Sequence, residues 1–252
     1  MPKNIMITKQ PFRELTFVLG TFEAVAQHIF KGIGSKSQVI LPCDLNNVAN
    51  LAQTPALRPA YAKVDIVTTD GMPLVWWWRK KLAETSIIVE RVYGPDLMLK
   101  LLSLTQDSKY RHFFYGSSSS TLRCLKAELK NRSFSLKIVG MESPPYRALS
   151  VKEKNAYLYQ IKKSNTTVLW LGIGSPEQVK VAAEWKAALP KVTIICVGAA
   201  FDFIAKTKPS APLWMKKNGL EWLYRLQCEP QRLGKRYLWE IPLFLIKEMK
   251  TN

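Results

Sequence analysis

Apolar residues recur along the chain in short blocks that end in small-residue turns, and each block is followed by a stretch of helical spacing. Val64, Ile66 and Thr68 alternate as in a strand, Gly71 and Pro73 break the run, and Leu74 to Leu82 reads as a helix. The same grammar returns where His112-Phe113-Phe114-Tyr115 meets Gly116-Ser117-Ser118-Ser119-Ser120, which predicts a helix over about 122–130. Lys137 to Gly140 reads as a further short strand. Val168 to Leu171 runs into Gly172-Ile173-Gly174-Ser175-Pro176 and predicts a helix from Glu177 to Ala188. Val192 to Val197 runs into Gly198-Ala199-Ala200 and a short helix near Phe201 to Ala205. Strands alternating with helices imply right-handed crossovers and a mostly parallel sheet. Residues 1–205 therefore read as one α/β domain of Rossmann-like build.

After Lys206 the texture changes. Pro209, Pro212, Gly219 and Pro230 punctuate short helices, with Gly219 as a helix stop and Pro230 opening another turn. Residues 206–252 read as a helical C-terminal appendage in which basic residues interleave with Trp214, Trp222, Tyr224, Tyr237 and Trp239. Trp222 and Leu226 are expected in its core, and Arg232 and Arg236 on one helix face.

Composition narrows the class. With 252 residues and 47% apolar content the chain can bury a sizeable core. Its 37 Lys and Arg against 19 Asp and Glu leave a net charge of +18, which asks for an anionic partner: nucleic acid, an anionic membrane or phosphorylated substrates. Basic side chains beside aromatic ones in the appendage suit an anionic bilayer surface. Cys43, Cys124, Cys196 and Cys228 are scattered, with no Cys-x-x-Cys pair, so a structural zinc site is not expected and a reducing cytosol fits. Cys196 lies in an apolar run and reads as core. No signal-peptide core opens the chain, and no run of about 18 apolar residues predicts a spanning helix.

The candidate chemistry gathers at predicted strand ends. Asp70 lies where an α/β sheet binds its ligands. It reads equally as a catalytic base or as a cap of the following helix. Arg91, in a polar turn, leans toward holding a phosphate, and Asp96 toward capping a helix from Leu97. The turns at Gly116 and at Gly172 and Gly174 could cradle a phosphate on backbone N–H groups, although each alone is better read as an ordinary strand-to-helix turn. Neither completes a Walker or dinucleotide fingerprint. Gln178 could bond a sugar or a uracil edge, but reads first as a first-turn residue facing water. With only His28 and His112 in the chain, a Ser-His-Asp hydrolase is disfavoured. No Asp-x-Asp pair suggests a Mg²⁺ cage, so a diphosphate would be neutralised by Arg, Lys and backbone donors.

Several motifs come in a fixed order. They are Thr69-Asp70-Gly71-Met72-Pro73-Leu74-Val75-Trp76, Glu90-Arg91-Val92-Tyr93-Gly94-Pro95-Asp96-Leu97 and Gly198-Ala199-Ala200-Phe201-Asp202-Phe203-Ile204-Ala205. Ala211-Pro212-Leu213-Trp214-Met215, Gly219-Leu220-Glu221-Trp222-Leu223-Tyr224-Arg225-Leu226 and Glu229-Pro230-Gln231-Arg232-Leu233 follow. Over nearly the whole chain from about Ile40 this set resembles the WecG/TagA/CpsF glycosyltransferases, glycosyltransferase family 26. The resemblance implies a Rossmann-like fold whose C-terminal appendage docks on the membrane and closes over the site. It implies inverting transfer of a hexose or N-acetylhexosamine from a UDP-sugar to a lipid-diphosphate-linked saccharide, in the manner of an N-acetylmannosaminyltransferase. The acceptor would be carried on undecaprenyl diphosphate at the inner face of the bacterial cell membrane, with the enzyme cytoplasmic and peripheral. No metal or other cofactor is implied.

Position by position, Asp70 matches the family's base and Gln178 its active-site glutamine. Arg91 matches a motif arginine near the site, and Arg225 and Arg232 match appendage arginines facing the lipid diphosphate or the leaving UDP. The chain departs from the pattern at Leu41-Pro42-Cys43-Asp44, where Asp44 takes the place of an asparagine and no threonine stands at the first position. It departs again at Val179, at Ser210 and at Lys206. The Met72–Trp76 and Tyr93–Pro95 variants resemble the exopolysaccharide branch, so the donor sugar is not carried over. A sugar-nucleotide-binding relative without activity, or a nucleic-acid binder resting on charge alone, are the alternatives; no nucleic-acid motif supports the second. The reading admits a homo-oligomer.

Overall fold

The computed structural model describes residues 7–242; of these, the side chains of Arg232, Arg236 and Glu240 lie outside the description. In chain order the elements are β1 (Thr8–Phe12), β2 (Leu15–Leu19), α1 (Phe22–Gly32), β3 (Gln38–Cys43), α2 (Leu45–Gln53), α3 (Arg58–Tyr61), β4 (Ile66–Thr69), α4 (Met72–Lys81), α5 (Gly94–Leu104), β5 (Arg111–Gly116), α6 (Ser119–Asn131), β6 (Lys137–Glu142), α7 (Val151–Lys163), β7 (Val168–Gly172), α8 (Glu177–Lys186), β8 (Thr193–Cys196), α9 (Ala200–Ile204), α10 (Leu213–Lys217), α11 (Glu221–Cys228) and α12 (Pro230–Lys235). A π-helical turn over Arg236–Glu240 follows α12.

The strands form one sheet in the order β1-β2-β4-β3-β8-β7-β5-β6. Among the described residues only the β1–β2 hairpin is antiparallel; β2 joins β4 in parallel, and every other pairing there is parallel. The fold is thus the mixed α/β architecture expected, with an antiparallel edge that the polar pattern of residues 8–12 had not announced. Central strands are buried on both faces: every residue of β3, β4 and β8 is buried. The alternation seen around Ile66 is therefore not that of a half-exposed strand, because helices cover the sheet on both sides.

Two apolar layers show which helix covers which face. Leu41, Val67, Tyr115, Leu171 and Ile194 pack with residues of α2, α3, α4, α7 and α8. Ile40, Ile66, Phe114, Trp170 and Ile195 pack with α1, α5, α6 and α9. Neighbouring strands β3 and β8 thus send their chains to opposite faces, into α2 and α9. A crevice opens at such a switch point, outside the carboxyl ends of the strands.

His112 belongs to this core. It is fully buried, its Nδ1 accepts from Trp170 Nε1 at 3.2 Å, and its Nε2–H faces the Thr105 carbonyl at 3.2 Å. Burial pushes its pKa down to about 4, with the Thr105 bond pulling it up. The unfolded chain therefore binds more protons than the folded one between that value and about 6.5, and the imidazole's contribution is lost as pH falls through this window. The loss is on the order of 3 kcal/mol. His28, lowered by burial and then by Lys9, Lys31 and Lys36, adds in the same direction. Denaturant unfolding at pH 7.5 and 4.5 should show a His112→Gln variant less acid-sensitive than the native chain; equal sensitivity would remove His112 from the account.

The segment after Ala205 lies beyond the sheet. Gly219, at φ +70°, ends α10 as expected, with Leu220 N–H bonded back to the Met215 carbonyl at 2.8 Å. A side chain there would strike the Trp76 ring at 2.7 Å, so glycine also lets this segment lie against α4. Met215, Glu221 and Leu233 turn inward, while Leu213, Trp214, Lys217, Leu238 and Trp239 are exposed. Trp222 departs from expectation: it is 38% exposed and rests on the Tyr237 ring at 5.8 Å, because Glu221 takes the buried side of α11. The face expected for Arg232 and Arg236 falls on side chains that lie outside the described residues. No helix among the described residues is long and apolar enough to cross a membrane.

Candidate active site

Asp70 follows the last residue of β4, where its N–H bonds the Cys43 carbonyl at 2.9 Å and so continues the pairing with β3. It does not cap α4. That helix starts behind Gly71 with no side-chain cap, its first turn opened by Pro73. The Asp70 carboxylate instead accepts from Gly94 N–H at 3.2 Å, at the head of α5, which Tyr93 leaves without a side-chain cap. Asp96, expected to cap, sits inside the first turn of α5 because Gly94 and Pro95 start the helix earlier than Leu97.

The Asp70 carboxylate lies deep beneath neighbouring chain, yet its side chain keeps 26% of its surface open. Burial pushes its pKa up to about 7. Arg91 pulls it down, Asp44 and Glu221 push with burial, and the Gly94 bond pulls down. A carboxylate that titrates near neutrality and can be touched from outside is suited to proton transfer.

Arg91 is beside it. Its Nε donates to the Asp70 backbone carbonyl, its Nη2 donates to Glu221 Oε2 at 2.7 Å and stands 3.9 Å from Asp70 Oδ1. The guanidinium lies over the Tyr93 ring at 4.2 Å, and Tyr93 OH donates to the other Glu221 oxygen at 2.8 Å. Glu221 had no role in the sequence reading; its place inside the Gly219-Leu220-Glu221-Trp222 motif was the available signal. Arg225, one turn along α11, faces inward over the Phe203 ring at 5.7 Å. Burial opposes its charge, but Tyr237, Asp44, Glu221 and Tyr93 hold its pKa above the ordinary arginine value, which places it toward the same crevice. The Arg232 side chain lies outside the described residues.

Asp44 caps α2, accepting from Asn47 N–H at 3.0 Å and from Asn47 Nδ2 at 2.7 Å. It borders Gly71, where an added Cβ would stand 3.4 Å from that of Asp44. From Asn47 a polar chain continues: its Oδ1 accepts from Ser175 Oγ at 2.7 Å and Tyr61 OH at 3.1 Å, and Ser175 Oγ accepts from Gln178 Nε2 at 3.1 Å. Gln178 is buried and does not face water; its Oε1 accepts from Gly198 N–H at 2.9 Å. This network ties together the carboxyl ends of β3, β7 and β8. It leaves Gln178 one amide N–H beyond the Ser175 bond and makes it a brace of the crevice as well as a candidate ligand.

The glycine turns divide. Gly116 and Gly172 are paired across β5 and β7. A Cβ on Gly116 would meet the Gly172 backbone at 2.5 Å, and one on Gly172 would meet the Phe201 ring at 2.5 Å. Packing therefore accounts for both glycines without a ligand. Gly174, at φ +80°, has open space where a Cβ would be, so its glycine answers to backbone conformation. The Ser118 hydroxyl caps α6 through Thr121 N–H, and Ser117 Oγ donates to Asp202. Among the described residues no group of three or more His, Cys, Asp or Glu is placed to hold a metal ion.

An open carboxylate of raised pKa, with a guanidinium beside it at the carboxyl ends of a parallel sheet, is the layout of an acid–base site that handles an anionic substrate. The chain belongs to the glycosyl transferase WecG/TagA/CpsF family, whose model matches residues 6–252. It is also 29% identical over 188 residues to the N-acetylglucosaminyldiphosphoundecaprenol N-acetyl-beta-D-mannosaminyltransferase of Bacillus subtilis (strain 168), an alignment covering 75% of this chain and 70% of that relative. The family resemblance carried by the ordered motifs is thereby borne out, and the protein is a glycosyltransferase.

Proposed function

We propose that the protein moves a hexose or N-acetylhexosamine from a UDP-sugar to a saccharide linked to undecaprenyl diphosphate, with inversion at the anomeric carbon. The single observation that carries this reading is the Asp70 carboxylate: reachable, pushed by burial toward neutrality, and beside Arg91. The acceptor class comes from the relative's name, which specifies a diphosphoundecaprenol-linked sugar. In the step proposed, the acceptor hydroxyl oxygen attacks the anomeric carbon while Asp70 takes its proton. The bond to the UDP oxygen breaks, and UDP leaves with the electron pair. Attack from the face opposite the leaving group gives the inverted product in one displacement. Arg91 and Arg225 lie where negative charge on a diphosphate needs to be balanced, and fixed cations in a shielded crevice do so without reorganising. Gln178, Asp44 and Asn47 shape the pocket wall between β3, β7 and β8. The exposed Leu213, Trp214, Lys217, Leu238 and Trp239 suit an anionic membrane surface, which would place the enzyme peripherally at the inner face where the lipid-linked acceptor is held.

The test is a panel of UDP-sugars offered with undecaprenyl-diphosphate-linked mono- and disaccharides. At least one pairing is expected to give a lipid-linked saccharide longer by one sugar. Folded protein that binds a UDP-sugar but extends no acceptor would mean an inactive relative, and the transfer reading would fall.

A further inference from the structure

A buried carboxylate is costly unless its charge is matched, and Glu221 is 8% exposed on α11. Both its oxygens are engaged: Oε2 by Arg91 Nη2 at 2.7 Å, Oε1 by Tyr93 OH at 2.8 Å. The guanidinium is fixed on three sides, by Glu221, by the Asp70 main-chain carbonyl and by the Tyr93 ring beneath it. Lys216 Nζ adds a second cation near that ring, at 5.4 Å. So held, Nη2 stands 3.9 Å from Asp70 Oδ1, an ion-pair distance beyond hydrogen-bond contact. A guanidinium and a carboxylate this close would otherwise form a direct bonded pair, and such a pair makes the carboxylate a poor proton acceptor.

We propose that Glu221 is a positioning residue: by engaging Arg91 Nη2 it keeps the guanidinium from closing on Asp70, and so leaves the Asp70 carboxylate free to take a proton. The inference rests on the reading of Asp70 as the base. The groups facing Asp70 are consistent with it: Asp44 and the Cys43 thiol from the end of β3, Arg91 and the Tyr93 hydroxyl from the turn before α5, the Gly94 N–H at the head of α5, and Glu221 from α11. Arg91 is the cation among them, and Glu221 is what holds it. Because Glu221 belongs to the C-terminal segment, full basicity of Asp70 requires that segment to be seated.

The pH profile of kcat/KM separates this role from a merely structural one. Glu221→Gln keeps an acceptor for Arg91 and Tyr93 but removes the charge, and should move the acidic limb down by about 1 pH unit. Arg91→Gln should move the limb up. A structural role would lower activity without opposite displacements, and an unmoved or upward limb in Glu221→Gln overturns the proposal. Should that variant fail to fold, the Arg91→Gln/Glu221→Gln double variant replaces both charges with an amide pair. A limb in the double variant equal to that of Arg91→Gln supports the inference, since without the guanidinium Glu221 has nothing to hold; a lower limb means that its charge acts on Asp70 directly and defeats it. The Asp70 titration can also be followed by NMR in protein labelled at the aspartate carboxyl carbons, its signal assigned through Asp70→Asn. That readout needs no turnover, so a failure of the transfer reading stays distinguishable from a failure of the role given to Glu221.

Discussion

Asp70→Asn is expected to cut sugar transfer by about 10²- to 10⁴-fold, the usual worth of a positioned general base, with little change in donor binding. In the native enzyme, kcat/KM should rise with pH through an inflection near the carboxyl's value of about 7. The variant should also be more stable at alkaline pH. The folded Asp70 binds its proton more tightly than the unfolded one, so between the ordinary aspartate value and about 7 the folded state holds the extra proton. Stability from this group is present below that window and is lost as pH rises through it. At pH 8 the full penalty of a buried carboxylate, on the order of 3–4 kcal/mol, is in force, and an asparagine does not carry it. Thermal unfolding at pH 8 alongside single-turnover transfer would show activity falling while Tm rises. Comparable activity in the variant would remove Asp70 as the base; a fall in Tm would show that the carboxylate is held by more than burial.

Much of this site could be read from residue order, for a physical reason. In a parallel sheet the ligand crevice forms at strand ends, and a strand end is marked in sequence by an apolar run meeting Gly or Pro. Asp70, Gly116 and Gly172 carry that mark, and each closes a strand or follows its last residue. What each residue does there depends on partners distant along the chain, which spacing does not encode. Asp70 and Asp96 were both weighed as helix caps; the bond from Gly94 sends Asp70 to the head of a helix 24 residues on. Gln178 reads as a solvent-facing first-turn residue, yet a half-buried chain through Ser175 and Asn47 to Asp44 claims it. Gly116 and Gly172 suggested a phosphate cradle, but the close approach of two strands and of the Phe201 ring already demands them. Glu221 was the largest omission, since a carboxylate beside a tryptophan on a basic segment gives no hint of burial. The β1–β2 hairpin was missed because its outer strand, half-exposed at the sheet edge, carries Lys9, Gln10 and Pro11 and lacks an apolar run.

Removing residues 207–252 is expected to release the protein from anionic vesicles and to weaken transfer as well. From Lys206 on, the chain carries ten Lys and Arg against four Glu, together with three of its tryptophans. With about 1 kcal/mol per cation at an anionic surface, three engaged cations alone correspond to a roughly 150-fold change in partition. Sedimentation with phosphatidylglycerol vesicles should show full-length protein bound at low salt and released as salt rises, whereas the truncated chain should stay in the supernatant at either. Truncation also strips Glu221 from Arg91 and Tyr93, so a loss of activity by itself says little about the membrane. A gentler variant separates the two effects. Trp214→Ser/Trp239→Ser changes two side chains that are 60% and 65% exposed, and it leaves Glu221 and Arg225 in place. It should weaken vesicle binding and leave the remainder more sensitive to salt while keeping its Tm, and transfer to a short-chain, water-soluble acceptor should be nearly unchanged. Vesicle binding that survives in both variants would mean that the C-terminal segment closes the site without holding the membrane.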